Sequence, residues 1–392
     1  MKIRIRLLFL FCAPMYILML LLSSPAFSDQ FPDCLQCHIH KNKAAGKYVH
    51  PAYKQGCYSC HTEAHHIGAK FPKFLFAKGT DLCWGCHDKS KFTKKYGHPP
   101  VVRGECLSCH DVHTSDNKKL LYSPIPDLCF NCHDKAKFTN KSIHPPVKEG
   151  KCTACHDPHS SNSKKLLLAD PPDLCFLCHK KDKYISAASN KHHAPVARGM
   201  CTSCHDPHAS AFQKLLVADV PNLCFNCHEA SDFQGRYSHS PVAAGMCMSC
   251  HEPHQGHAKK LLIDRPPDLC FNCHDKAEFT RANQHPPVSA GMCTVCHAIH
   301  GSPYQSMLLM PTTDGCLQCH PRIAAAPHAA GGFSEAGHPL KDRKYAKAKD
   351  GELSCASCHN PHSSDSMKLF RFPVKKPFDL CVNCHTNQKK KR

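Results

Sequence analysis

Thirty of the 31 cysteines of this 392-residue chain fall into fifteen copies of Cys-x-x-Cys-His, from Cys34 and Cys37 to Cys381 and Cys384. A single Cys-x-x-Cys can be half a zinc site, a redox dithiol or part of a disulfide framework. Fifteen copies, each followed directly by histidine, fit none of these: zinc needs a second pair but no histidine after each, and a redox dithiol needs no histidine at all. The repeated triplet fits covalent haem attachment. The two thiols add to the vinyl groups as thioethers, and the adjacent imidazole takes the iron's proximal position.

The thirteen intermediate pairs are Cys57 and Cys60, Cys83 and Cys86, Cys106 and Cys109, Cys129 and Cys132, Cys152 and Cys155, Cys175 and Cys178, Cys201 and Cys204, Cys224 and Cys227, Cys247 and Cys250, Cys270 and Cys273, Cys293 and Cys296, Cys316 and Cys319, and Cys355 and Cys358. The predicted proximal ligands are His38, His61, His87, His110, His133, His156, His179, His205, His228, His251, His274, His297, His320, His359 and His385. Fifteen covalently attached haem c groups are therefore expected.

The remaining cysteine, Cys12, lies in an N-terminal segment with Lys2, Arg4 and Arg6 ahead of an apolar run from Leu7 to Leu22. This reads as a secretory signal over residues 1–28, with Ala26 and Ser28 as the small residues of a cleavage site. The run includes Pro14 and falls short of the roughly 20 residues that span a bilayer. There is no adjacent arginine pair, and Phe11 before Cys12 does not suit lipoprotein processing. The expected compartment is the periplasm, with outer-membrane association or an extracellular position as alternatives.

Cleavage there leaves about 24 residues for each haem. At that density the porphyrins themselves must supply the apolar interior. The 31 prolines and the single tryptophan, Trp84, favour short helical turns joined by irregular chain. The formal charge of +19 does not indicate a nucleic-acid partner, because haem propionates reverse much of it and are the expected partners of the lysines. The closing run Lys389, Lys390, Lys391 and Arg392 reads as a solvated tail.

Most motifs follow one another at 23 residues, and two half-repeats alternate. One reads His-Pro-Pro-Val, a glycine, then Cys-x-x-Cys-His-Asp-Pro-His, as in His144 to His159. The other reads Lys-Lys-Leu-Leu, a proline pair, then Asp-Leu-Cys-Phe-Asn-Cys-His-Asp-Lys, as in Lys259 to Lys276. On these motifs the chain resembles the doubled Cys-x-x-Cys-His family of multihaem cytochromes c, found in periplasmic and outer-membrane electron-transfer systems of metal- and sulfur-respiring bacteria. The expected fold is mostly irregular with short α-helices, as two-haem modules in an elongated stack with little or no β-sheet. Residues 29–320 would hold thirteen haems, 321–353 an Ala/Gly-rich insertion, and 354–392 a C-terminal module with two more.

Asp127, Asp173, Asp268 and Asp379 stand two residues before an attachment cysteine, where they are expected to cap a helical turn. Phe130, Phe176, Phe225 and Phe271, with Trp84 in the earlier copy, are expected to pack on porphyrin. The Leu-Leu pairs such as Leu120-Leu121 and Leu261-Leu262 are expected to line the pockets.

Nineteen of the 34 histidines lie outside the attachment motifs, enough to give every iron a second imidazole. Seven precede a proline, directly or after one small residue: His50, His98, His144, His193, His239, His285 and His338. Six lie three residues after a proximal histidine: His113, His159, His208, His254, His300 and His362, with His65 or His66 the near-equivalent in the first copy. His40, His257 and His328 are candidates for a fifteenth, His328 being favoured. Proline after histidine holds the backbone extended, which suits presentation of an imidazole. A histidine three residues after the proximal one starts from the same side and is expected to reach a neighbouring haem. Spacing alone leaves open whether each His-Pro histidine serves the haem before or after it.

Two imidazoles on every iron leave no position for a substrate. Met200, Met246 and Met292 directly precede attachment cysteines and are poorly placed as ligands. The favoured function is electron conduction in or beyond the periplasm, in anaerobic or extracellular respiration, by a protein that is not an enzyme. A subunit of an outer-membrane porin–cytochrome conduit is the alternative, and a multihaem reductase a third. The resemblance implies an inner-membrane quinol-linked donor and an outer-membrane or extracellular cytochrome acceptor, with porin binding or self-assembly as further options.

Overall fold

The computed structural model of the chain describes residues 38, 46–62, 74–187, 191–325, 353–376, 379–383 and 385. They belong to two compact units, one comprising residues up to 89 with 102–124, the other 90–101 with 125 onward. The signal segment, Cys12, Cys34, Cys37, His40, His65, His66, His328, His338, Cys384 and the basic tail lie outside the described residues.

Short elements recur in fixed order, as the module around His144 illustrates. A two-residue strand, Ser142–Ile143, leads into His144 and the one-turn helix Pro145–Lys148. His144 is extended (φ −61°, ψ 130°) and the helix starts at once on proline, as the restriction on residues before proline requires. His193 and His239 hold the same conformation although their proline comes one residue later. A glycine in the left-handed region then turns the chain into the 3-10 turn Cys152–Ala154, which carries the first attachment motif. The strand Ser160–Ser161 and the turn Lys164–Leu166 follow, and the helix Asp173–Phe176 carries the second motif.

Glycine is needed at that left-handed position for two reasons. Gly150, Gly199, Gly245 and Gly291 have φ near +70°, and a Cβ on each would stand 2.5 to 2.8 Å from the ring of Pro126, Pro172, Pro221 or Pro267. Each of these prolines opens the helix that bears the preceding attachment motif. The contact thus seats the start of one module on the second half of the one before.

Those helices correct one expectation. Asp127, Asp173 and Asp268 occupy the first helical position, while a proline takes the capping position and no side chain caps. Asp379 accepts instead from the backbone N–H groups of Lys375 and Lys376, at 2.8 and 2.7 Å.

β-Structure is confined to antiparallel pairs of two residues, and these join modules. Ser142–Ile143 pairs with Ala209–Ser210, Tyr237–Ser238 with Gly301–Ser302, and Asn283–Gln284 with Ser363–Ser364. In the smaller unit Tyr48–Val49 pairs with Thr114–Ser115. Each pair therefore couples the strand before a His-Pro histidine to the strand after the histidine of the other class.

Among the described residues the buried apolar side chains are Ala209 and Ala258 alone, and the largest side chains fully shielded from solvent are the serines Ser160, Ser302 and Ser363. Two alanines are not a hydrophobic core. The backbone is held chiefly by local turns, short strand pairs and hydrogen bonds.

Candidate haem-ligation sites

The ring nitrogens of the proximal histidines are sorted by the backbone. His110, His156, His205, His251, His297 and His359 each donate from Nδ1 to the carbonyl nine residues on, at 2.8 to 3.0 Å. The accepting residues, Lys119, Lys165, Lys214, Lys260, Ser306 and Lys368, have positive φ, as does the residue after each. The Lys-Lys-Leu-Leu turn is thus the device that aims a carbonyl at the proximal ring. Its second leucine bridges back to the same histidine, as Leu121 does to His110 and Leu167 to His156, with Phe370 doing so to His359. With Nδ1 so engaged, Nε2 is the nitrogen left for a metal.

The two classes of second histidine meet at the strand pairs. The backbone N–H of His144 donates to the carbonyl of His208, His193 to His254, His239 to His300 and His285 to His362, at 2.9 to 3.0 Å. His98 joins His159 and His50 joins His113 in the same way, both at 2.9 Å. From the first four of these joints the two rings face different proximal histidines. His144 stands against His179 with ring centres 6.1 Å apart, while His208 stands against His156 at 6.0 Å. His193 faces His228 and His254 faces His205, at 6.1 and 6.0 Å with interplanar angles of 13° and 10°. His239 faces His274, His300 faces His251, His285 faces His320 and His362 faces His297, at 5.9 to 6.2 Å. His98 with His133 and His50 with His87 repeat the arrangement at 6.1 and 6.2 Å.

This shows which motif each described His-Pro histidine faces. It passes over the next motif and addresses the one after. His208, His254, His300 and His362, of the other class, address the motif two positions earlier, in the preceding module. His257 joins none of these pairs; its backbone N–H bonds Leu262 and its carbonyl accepts from Lys191.

A separation near 6 Å between nearly parallel imidazoles is wider than rings in direct face-to-face contact and suits a shared metal. Metal–imidazole bonds are about 2 Å long, which puts the ring centres of two imidazoles on one metal about 6 Å apart. The second histidines are also fixed by their far nitrogen. Nδ1 of His98 donates to Pro158 and that of His144 to Pro207, both at 2.9 Å, and His193, His239 and His285 use the carbonyls of Pro253, Ile299 and Pro361. In the other class Nδ1 lies 3.8 Å from Asp111, Asp157 or Asp206 for His113, His159 and His208, and 3.2 Å from Glu252 for His254. Burial comes first among the causes that lower the pKa of His50, His193, His208, His239, His254, His285 and His300, which favours the neutral form that a metal requires.

The cysteines place successive motifs side by side. Burial and then a neighbouring thiol raise Cys175, facing Cys201, and Cys270, facing Cys293, to about 11. Cys224, facing Cys247, is pushed up in the same way, while the hydrogen bond between Cys316 and Cys355, ahead of burial, pushes Cys316 up and draws Cys355 down. Between these contacts the second cysteines approach: burial and then Cys178 raise Cys155, and likewise Cys227 acts on Cys204, Cys273 on Cys250 and Cys319 on Cys296. In the smaller unit Cys60 interacts with Cys86, and Cys83 with Cys106. Within each unit, the motifs from Cys57 to Cys106 and those from Cys152 to Cys355 thus lie beside their neighbours in sequence, joined alternately through first and second cysteines.

Sequence reasoning missed the aromatic support of the second histidines. Phe92, Phe138, Tyr184, Phe233 and Phe279 lie 4.9 to 5.1 Å from His159, His208, His254, His300 and His362. The signal was present, since each stands five residues after a proximal histidine. Phe130, Phe225 and Phe271, expected on porphyrin, tilt against Phe138, Phe233 and Phe279 at 5.6 to 5.8 Å.

These residues fit a bis-histidine haem. The ring spacing, the fixed nitrogens, the paired thiols and the missing core all agree, and Nε2 of His192, directly before His193, is a buried polar atom with no partner in the protein.

The family model of the doubled CXXCH motif matches seven times, over residues 50–92, 98–138, 144–184, 193–233, 239–279, 285–325 and 346–390. The chain belongs to this family. It is a multihaem c-type cytochrome, and each of the first six matches begins on a His-Pro-class histidine and carries two attachment motifs. The motif ending at His38 precedes the first match. No curated protein matches the chain.

Proposed function

We propose that this cytochrome conducts electrons between redox partners in or beyond the periplasm, through fifteen haem c groups closed by two histidines each, and that it catalyses no bond-making reaction. Its place is in anaerobic or extracellular respiration, between a quinol-linked donor at the inner membrane and a cytochrome at or beyond the outer membrane.

The observation that carries this reading is the joint at which His144 and His208, and their equivalents, each turn a ring to a different proximal histidine about 6 Å away. Bound haem supplies the one-electron chemistry of its iron. The cysteines would tether the haem, the paired histidines would supply both protein ligands of its iron, and the carbonyls of the Lys-Lys-Leu-Leu turns and of Pro158 or Pro207 hold the imidazoles in the ligating tautomer. A substrate would have to displace a ring held at both its backbone and its far nitrogen. No helix among the described residues is long and apolar enough to cross a membrane.

Coulometric titration of the purified holoprotein, with intact mass giving the haem number, tests the proposal. About fifteen electrons taken up per chain and returned to a soluble oxidant, with no turnover of nitrite or tetrathionate, is the expected result. Specific turnover of either oxyanion would make the protein a reductase and defeat this reading.

A further inference from the structure

The rings of His98, His144, His193, His239 and His285 share one kind of partner, a neutral backbone carbonyl. The other class is graded along the chain. His208 has Asp206 at 3.8 Å and His254 has Glu252 within hydrogen-bond distance at 3.2 Å. At the equivalent place His300 has Ala298, and His362 has Asn360.

The change is one of charge and not of backbone. Asp206 accepts from the backbone N–H of His208 at 2.8 Å, and Asn360 makes the same bond to His362 at 3.1 Å. Nor do nearby cations account for the grading: Lys165 acts on His208, Lys183 on His254 and Lys260 on His300, so a lysine faces both kinds of site. A carboxylate beside an axial imidazole makes that ligand more basic and favours the iron state with the greater positive charge.

We propose that Asp206 and Glu252 hold the irons shared by His156 with His208 and by His205 with His254 at lower reduction potentials than those shared by His251 with His300 and by His297 with His362. Electrons added to this stretch then settle toward the C-terminal modules. Asp206 and Glu252 act here as positioning and tuning residues, reaching the iron only through the histidine. The proposal rests on the paired-histidine ligation above and adds a direction to it.

The test is an optical redox titration of full-length holoprotein carrying Asp206→Asn with Glu252→Gln, and separately Ala298→Asp with Asn360→Asp. Because the two carboxylates are 44% and 43% exposed, the effect is screened, and the reduced-to-oxidised ratio at two haems should move roughly two- to fivefold at fixed potential. The first pair should raise that ratio and the second lower it, with both shifts shrinking at high salt. Curves that superimpose on the parent while every haem stays low-spin would overturn the tuning and leave the ligation standing. If His254→Ala produced no high-spin iron, the ligation reading itself would fail, and the proposal with it.

Discussion

In His254→Ala holoprotein one iron is expected to become high-spin when oxidised and to bind carbon monoxide when reduced, the remainder staying low-spin. His254 faces His205 at 6.0 Å with the rings only 10° from parallel, and its Nδ1 is held by Glu252. Removing the ring opens that one axial position. The joint to the neighbouring module survives, because it is a backbone bond from the His193 N–H to the carbonyl of residue 254. His193, which faces His228, should therefore keep its own iron closed. His257→Ala is the control and should change nothing in the spin state. Magnetic resonance of the ferric protein and the Soret shift under carbon monoxide measure both variants.

The same chain made where thioethers cannot form is expected not to fold. Ordering backbone costs about 1–2 kcal/mol per residue, whereas burying a large apolar side chain returns about 1.5–3 kcal/mol. Among the described residues the only buried apolar side chains are those of Ala209 and Ala258. Two-residue strands and one-turn helices cannot offset that cost without an apolar body between them. Far-ultraviolet circular dichroism of haem-free chain should show the disordered form with no cooperative thermal transition. Native-like amide protection in that material would mean that the polypeptide has a core of its own.

The attachment motifs, their proximal histidines and both classes of second histidine stand out in the sequence because each recurs at fixed spacing, but the one-turn helices that begin on the prolines after His50, His144 and His285 were not foreseen, since proline after histidine implies only an extended backbone. What else stayed hidden depended on contacts between modules. The Ser142–Ile143 strand is too short for any alternation, and it is a strand only because Ala209–Ser210 lies beside it. That contact decides which proximal ring His144 and His208 face. The misreading of Asp127 and Asp173 as caps has a local cause: Pro126 and Pro172 already occupy the capping position, being packed against Gly150 and Gly199. The left-handed pairs at Lys165-Leu166 and Lys214-Leu215 are non-glycine residues in an unfavourable region, held there by the bond from the proximal histidine to the first carbonyl.

Magnetic resonance of the oxidised parent protein, with every ferric iron counted against the haem number from its mass, bears most directly on the claim that imidazoles from neighbouring modules close these irons. All signal should belong to low-spin haem with two nitrogen axial ligands. A high-spin component amounting to several irons per chain would contradict the account.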